Sequence, residues 1–251
     1  MTATAPVAIV TGGARRIGAE IARTLHRAGY DIALHYRSSA DDAATLAAQL
    51  NAARADSCTV CQADLASAEE AQRLGAELLT RFPAVQVLVN NASGYQHTPL
   101  EQVSPDDFDT MLGSNLRGAY FLIQSLLPAL RAARGSIINL IDAHQERPVS
   151  GYSAYNAAKA GLASLTRSLA VELGPELRVN GIAPGAILWP EHAEEGWDEA
   201  ARRRILENTP LARLGEAGEI ASLALFLAQD ATFITGQLIA VDGGLSLAPI
   251  Q

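Results

Sequence analysis

Short apolar runs rich in β-branched residues recur along the chain, at Val7 to Thr11, Asp31 to Tyr36, Cys58 to Gln62, Val85 to Asn90, Ser136 to Ile141, Arg178 to Ala183 and Leu238 to Val241. They are too short for ordinary helices and are bounded by turn residues, so each predicts a buried strand. Between them lie amphipathic or alanine-rich stretches that predict helices. This alternation implies parallel strands joined by right-handed crossovers, with helices covering both faces of the sheet. One piece breaks the rhythm. Residues 187–198, with Pro190, Gly196 and two tryptophans, read as a substrate loop or lid near the strand ends.

The expected fold is α/β: a single-domain doubly wound parallel sheet of the Rossmann type, with about seven strands, over residues 1–251. No internal repeat, low-complexity tract or Gly/Ser linker marks a boundary inside it. With 49% apolar residues, 251 residues can bury a large core. A net charge of −8 argues against a broad nucleic-acid or anionic-membrane footprint but leaves room for a local basic pocket around phosphate. The N-terminus has no basic region ahead of its apolar residues, and no apolar run reaches the roughly 18 residues a membrane span needs. The protein is expected to be cytoplasmic, with a small-molecule substrate and neither nucleic-acid nor membrane partners. Cys58 and Cys61 could form a redox pair or half a metal site. In a strand, positions three apart point to opposite faces, and without a second pair they read as reduced core thiols.

Candidate chemistry gathers in two places. The turn Thr11 to Gly18 follows a predicted strand and opens a predicted helix, where glycines permit close backbone approach and the helix N-terminus favours a pyrophosphate. The second strand ends without the carboxylate that would bind ribose hydroxyls. Arg37 and Ser38 stand there instead and can hold a 2′-phosphate, which favours NADPH over NADH; alternatively Arg37 is a solvated loop residue. The second place is Gly135 to Lys159: a strand, a turn with Pro148 and Gly151, then a helix on which Tyr155 and Lys159 share one face. A phenol beside an ammonium should have a lowered pKa and serve as a proton donor, although such pairs also occur on many helices without any chemistry.

Six segments in order, TGGARRIG, NNAS, SNLRGAY, YNAAK, RVNGIAPG and GQLIAVDGG, are similar to the motifs of the short-chain dehydrogenase/reductase family, and the resemblance covers almost the whole chain. It implies that Gly12, Arg15, Arg16, Ile17, Tyr36, Arg37, Ser38, Asp64, Leu65, Asn91, Ala92 and Ser93 bind the cofactor NADPH. Tyr155, Lys159, Pro184, Gly185 and Ile187 would join them at the nicotinamide end. Asn115 would support a proton relay through Lys159; on residue type alone it is a packing or helix-bending residue.

Departures from the common pattern point to the pteridine reductases. Arg16 replaces the middle glycine of the first motif, Ser93 replaces the glycine of the fourth-strand motif, and Asp142 stands where most members carry serine. An ionised Asp142 only accepts hydrogen bonds and would repel a developing alkoxide, whereas a pterin offers amino and ring N–H donors. The residue could instead be a strand-end cap or turn former. The resemblance makes Asp142, Tyr155 and Lys159 the catalytic set, with Arg16, Ser93, Tyr95, Leu188 and Trp189 around the pterin ring; Tyr95 could equally be a packing residue. His97 and His144 read as polar loop residues, and no ligand spacing supports a metal. A homotetramer is implied by the resemblance alone. The expected reaction is NADPH-dependent reduction of dihydropterins, including dihydrofolate or dihydromonapterin. The rivals are a ketoacyl or sugar carbonyl reductase and a non-catalytic nucleotide-binding regulator.

Overall fold

The strands form where the apolar runs predict them. In this computed structural model, which describes residues 5–146, 148–189 and 199–247, the first four are β1 (Val7–Val10), β2 (Asp31–Tyr36), β3 (Cys58–Gln62) and β4 (Val87–Asn90). They are followed by β5 (Ser136–Leu140), β6 (Arg178–Pro184) and β7 (Leu238–Val241). Helices α1 (Arg16–Arg27), α2 (Ala40–Ala53) and α3 (Ala68–Arg81) follow the first three strands in turn. After β4 come α4 (Pro105–Leu112) and α5 (Gly118–Ala133), with a π-helical turn at Gly113–Arg117 between them. Helix α6 (Ser153–Glu172) joins β5 to β6, and α7 (Glu199–Glu207) and α8 (Ala217–Gln229) precede β7. Residues 190–198, most of the expected substrate loop, lie outside the described residues.

All strand pairings are parallel, and the sheet order is β3-β2-β1-β4-β5-β6-β7. The chain runs outward from β1 to β3, returns to β4 beside β1, and then runs outward the other way. Between β1 and β4 the loops leave in opposite directions, which opens a crevice at the carboxyl ends of the strands. Alternation along the strands supplies two cores. Ala8, Val10, Val87 and Val89 pack with Ile21, Leu25 and Leu46 on one face, while Val7, Ile9 and Leu88 pack with Leu74, Leu122 and Leu126 on the other.

The same alternation separates the cysteines. Cys58 enters the first core and Cys61 the second, and both are free and buried. Burial pushes their thiols up, to about 11 and about 12, so at neutral pH neither is a thiolate nucleophile. No helix among the described residues is long and apolar enough to cross a membrane.

Candidate active site

At the crevice, side chains of the β4 loop tie down the turn after β1. Thr11 Oγ1 accepts from the Asn91 and Ala92 N–H groups at 2.9 and 3.0 Å. Asn91 Nδ2 donates to the Thr11 and Gly12 carbonyls at 2.9 and 3.0 Å. Glycine is required here by space as well as by conformation: Gly12 has φ +59°, and a Cβ on Gly18 would lie 2.3 Å from the Gly12 carbonyl oxygen. From β2, the buried His35 accepts the Gly12 N–H on Nδ1 at 3.1 Å and donates from Nε2 to the Ala63 carbonyl at 3.0 Å. Burial lowers its pKa, keeping the neutral ring that this pairing needs.

Arg16 occupies the position where the family pattern has glycine, and it takes the backbone angle a glycine would take, φ +54°. That conformation costs a non-glycine residue about 1–3 kcal/mol. Its guanidinium donates to the Leu188 and Trp189 carbonyls at 3.2 Å, linking the β1 turn to the segment after β6.

Two clefts adjoin at Arg16. The first, about 380 Å³, contains all twelve residues assigned to the dinucleotide from Gly12 to Ser93, with Arg37 and Ser38 exposed at the β2 end. The second, about 510 Å³, collects Asp142, Tyr155 and Lys159 with Tyr95, Pro184, Gly185, Ile187, Leu188 and Trp189; Arg16 and Ser93 line both. The residues singled out from the sequence therefore converge on one continuous opening, with a single exception. Asn115, in the π-helical turn, lies behind the walls. Its Oδ1 accepts from Ser93 Oγ at 2.7 Å, and its Nδ2 donates to the Gly94 carbonyl at 2.9 Å. Its side chain thus braces the loop that carries Tyr95.

The ionisable groups form a connected set. Tyr155 donates to Asp142 Oδ2 at 2.6 Å, and Asp142 Oδ1 accepts from both the His144 N–H at 2.8 Å and His144 Nδ1 at 2.9 Å. Asp142 is consequently a turn former and a site residue at once, one oxygen for each task. Burial opposes its ionisation, but hydrogen bonds from His144 and Tyr155 and the nearby His144 charge outweigh that and hold its pKa below the ordinary value. Lys159 Nζ donates to the Leu140 carbonyl at 2.8 Å, and burial brings its pKa down to about 8 despite the Asp142 charge.

One expectation is reversed. The Tyr155 pKa lies well above its ordinary value, because the phenol is buried and faces the Asp142 carboxylate, which disfavours a second negative charge. Lys159 Nζ lies 5.7 Å from the centre of the phenol ring, and its hydrogen bond is made to backbone.

Tyr95 stacks on Tyr152 (4.6 Å between centroids, 16° between planes) and meets Tyr155 edge-on at 4.9 Å, while keeping 43% exposure. Sequence reasoning missed Tyr152, the ring against which Tyr95 stacks, although it stands three residues before Tyr155, close to one helix face. It also missed the partnership of His144, which has no signal beyond its position two residues after Asp142. Among the described residues no group of three or more His, Cys, Asp or Glu could hold a metal ion.

A family model described as enoyl-(acyl carrier protein) reductase matches residues 12–246. Pteridine reductase 1 of Leishmania tarentolae is 38% identical over 285 residues, covering 97% of each chain. The 3-oxoacyl-(acyl carrier protein) reductase of Staphylococcus epidermidis is 36% identical over 241 residues, covering 95% of this chain and 98% of that one. An uncharacterized oxidoreductase of Mycobacterium tuberculosis is 36% identical over 243 residues, covering 96% of this chain and 92% of that one. With the parallel sheet and the two adjoining clefts, these matches make the chain an oxidoreductase of the short-chain dehydrogenase/reductase family.

Proposed function

We propose that the protein is an NADPH-dependent pteridine reductase that converts dihydropterins to their tetrahydro forms. The observation that carries this reading is the carboxylate of Asp142, ionised and hydrogen-bonded to Tyr155, in a cleft with the stacked rings of Tyr95 and Tyr152 on one wall. A carboxylate facing the reacting atoms suits a planar heterocycle that carries N–H donors, and the aromatic wall suits its ring.

The residues present fit a dinucleotide. Gly12 and Gly18 form a cradle with no room for a side chain, the first turn of α1 has no acidic residue, and Arg15, Arg16 and Arg37 line the same cleft. Arg37 and Ser38, in place of a carboxylate at the end of β2, favour a 2′-phosphate and hence NADPH. When bound, the reduced nicotinamide supplies hydride. The chain's own residues do the rest. Lys159 would hold the ribose. Pro184, Gly185 and Ile187 would back the nicotinamide end, and Arg16, Ser93 and Tyr95 would orient the pterin ring. Tyr155 delivers a proton to the ring nitrogen of the reduced C=N bond, and its high pKa makes it a retained proton until that nitrogen becomes basic.

A second reading, reduction of a 3-oxoacyl thioester, is favoured by the 36% identity to a reductase of that name. Following NADPH oxidation with dihydrobiopterin, dihydromonapterin, dihydrofolate and a 3-oxoacyl thioester in parallel decides between them. Turnover confined to pterins supports the first reading; turnover of the thioester alone replaces it. Full pterin reduction by an Asp142→Ala, Tyr155→Phe double variant would end the assigned chemistry. Homotetrameric assembly belongs to the same proposal. Exposed Val171 and Phe233 give such an assembly apolar surface to cover, and sedimentation of the purified protein tests it.

A further inference from the structure

Tyr155 must recover a proton after every turnover, yet it is 5% exposed. Lys159 makes its hydrogen bond to the Leu140 carbonyl, and the Asn115 side chain is held by the loop at Ser93 and Gly94. One chain of hydrogen bonds does run outward from the phenol: Tyr155 to Asp142 Oδ2 at 2.6 Å, then Asp142 Oδ1 to His144 Nδ1 at 2.9 Å. The far end is open, since the His144 side chain keeps 23% exposure on the wall of the second cleft, where the Asp142 side chain keeps 20%. Two hydrogen bonds thus connect a water-accessible imidazole to a buried phenol.

We propose that His144 is the proton-supplying residue of this site, acting through Asp142 rather than on the substrate. The inference rests on the reading of the cleft as a hydride-transfer site. The imidazolium Nδ1–H bond breaks as an O–H bond forms on Asp142. The carboxyl group then turns and its O–H breaks as an O–H forms on the Tyr155 phenolate, which protonation of the substrate nitrogen had left. Neutral His144 then takes up one solvent proton. One solvent proton enters for each hydride transferred, which balances the reduction.

The backbone favours this role. The His144 N–H also donates to Asp142 Oδ1, so the three-residue 3-10 turn at Ala143–Gln145 sets the ring beside the carboxylate, whose two oxygens exchange places when the group turns. The ionisable groups around the pair among the described residues are Tyr155 and Lys159 on α6, Glu146 at the end of the same turn, Arg15, Arg16 and Tyr95 on the walls of the cleft, and Tyr152 with His97 5.2 Å from it. The turn at Leu245–Leu247, which packs against the His144 turn, contributes none. Any pH dependence that disappears with His144 alone is therefore separable from these neighbours by substitution.

Two variants separate the proton from the contact. His144→Asn places an amide nitrogen where Nδ1 stands, so it can still donate to Asp142 but cannot ionise; His144→Ala leaves space. Steady-state rates are taken across about pH 5.5 to 8.5, where histidine changes charge, on whichever substrate the wild-type protein turns over, dihydropterin or 3-oxoacyl thioester. Turnover of the thioester alone would end the pterin reading and leave this test intact. The wild-type kcat should fall as pH rises. In His144→Asn, kcat should drop by roughly tenfold to a hundredfold with little change in KM, and the fall with pH should flatten. Added imidazole should restore His144→Ala in proportion to the imidazolium present. A second readout needs no turnover: in cofactor-free protein labelled with nitrogen-15, Asp142→Asn should move the His144 Nδ1 resonance, because the hydrogen bond between them changes partner. A wild-type profile in His144→Asn overturns the proposal. So does an equal loss at every pH without imidazole rescue, or a His144 Nδ1 resonance indifferent to Asp142.

Discussion

The two clefts that meet at Arg16 are built by different means. The first, the cleft proposed for the dinucleotide, is made largely of backbone: a glycine turn, the N-terminus of α1 and a β4 loop held by Thr11 and Asn91, with neutral His35 behind them. The substrate cleft is made of side chains from widely separated segments, namely Tyr95 after β4, Asp142 after β5, Tyr155 on α6 and Trp189 after β6. Holding phosphates needs close backbone approach and little else, whereas proton transfer needs groups whose charge states are set by one another. The sharpest test of that division is Tyr155→Phe. Loss of the proton donor should lower kcat by about 10²–10⁴-fold, while NADPH affinity, followed by nucleotide fluorescence, changes far less. A comparable collapse of cofactor binding would show that the clefts are not separable.

The complementary substitution is Gly18→Ala. Its Cβ would meet the Gly12 carbonyl oxygen at 2.3 Å and Asn91 Nδ2 at 2.5 Å, so the turn must shift. Overpacking of this kind costs about 1–3 kcal/mol, and the cradle is the part displaced. NADPH binding should weaken by about tenfold or more, with kcat at saturating cofactor close to normal. Unchanged affinity would mean that the glycine cradle is not what holds the nucleotide.

The contrast also explains what the sequence made legible. Backbone sites are local: the strand, the turn and the helix that form the first cleft are contiguous, so Thr11 to Gly18 could be read as a unit. The sheet was equally legible, because period-two burial in β1 and β4 is written in short apolar runs. Asp142 and Tyr95, which line the second cleft, were singled out by resemblance, and the electrostatics there were misjudged. Spacing on α6 puts Lys159 on the Tyr155 face, but no sequence pattern reveals that Lys159 turns to the Leu140 carbonyl while Asp142 reaches the phenol. His144 and Tyr152 escaped for the same reason. Their importance lies in what a neighbouring segment brings to them.

The clefts should also differ in the pH range where each weakens. His35 has a lowered pKa in the folded protein, so below its ordinary value of 6.5 the unfolded chain binds more protons and stability falls as pH falls. The melting temperature of cofactor-free protein should therefore drop more steeply on acidification in wild type than in His35→Asn. Lys159 acts at the other end. It loses its proton as pH rises through about 8, and with it the charge that would strengthen its hydrogen bond to the ribose. NADPH affinity should fall by about threefold to tenfold above that pH. Lys159→Met should bind more weakly throughout and lose the dependence.

Arg16 puts the division to its hardest test, because it belongs to both clefts. Arg16→Gly restores the residue usual at this position and removes a left-handed non-glycine backbone, worth about 1–3 kcal/mol. It also removes the guanidinium contacts to the Leu188 and Trp189 carbonyls. Part of the gain is offset, because glycine loses more backbone freedom on folding and α1 begins at this residue. A net gain of about 1 kcal/mol would raise the melting temperature by about 2–4 °C in a chain of this size. At the same time the segment after β6 loses its tie to the β1 turn, so KM for the pterin should rise a few-fold while kcat at saturation holds. Stability and substrate affinity would then move in opposite directions from one substitution, as expected if the strained arginine is retained for the substrate cleft. A variant that melts higher and binds pterin as well as wild type would show that Arg16 serves the dinucleotide alone.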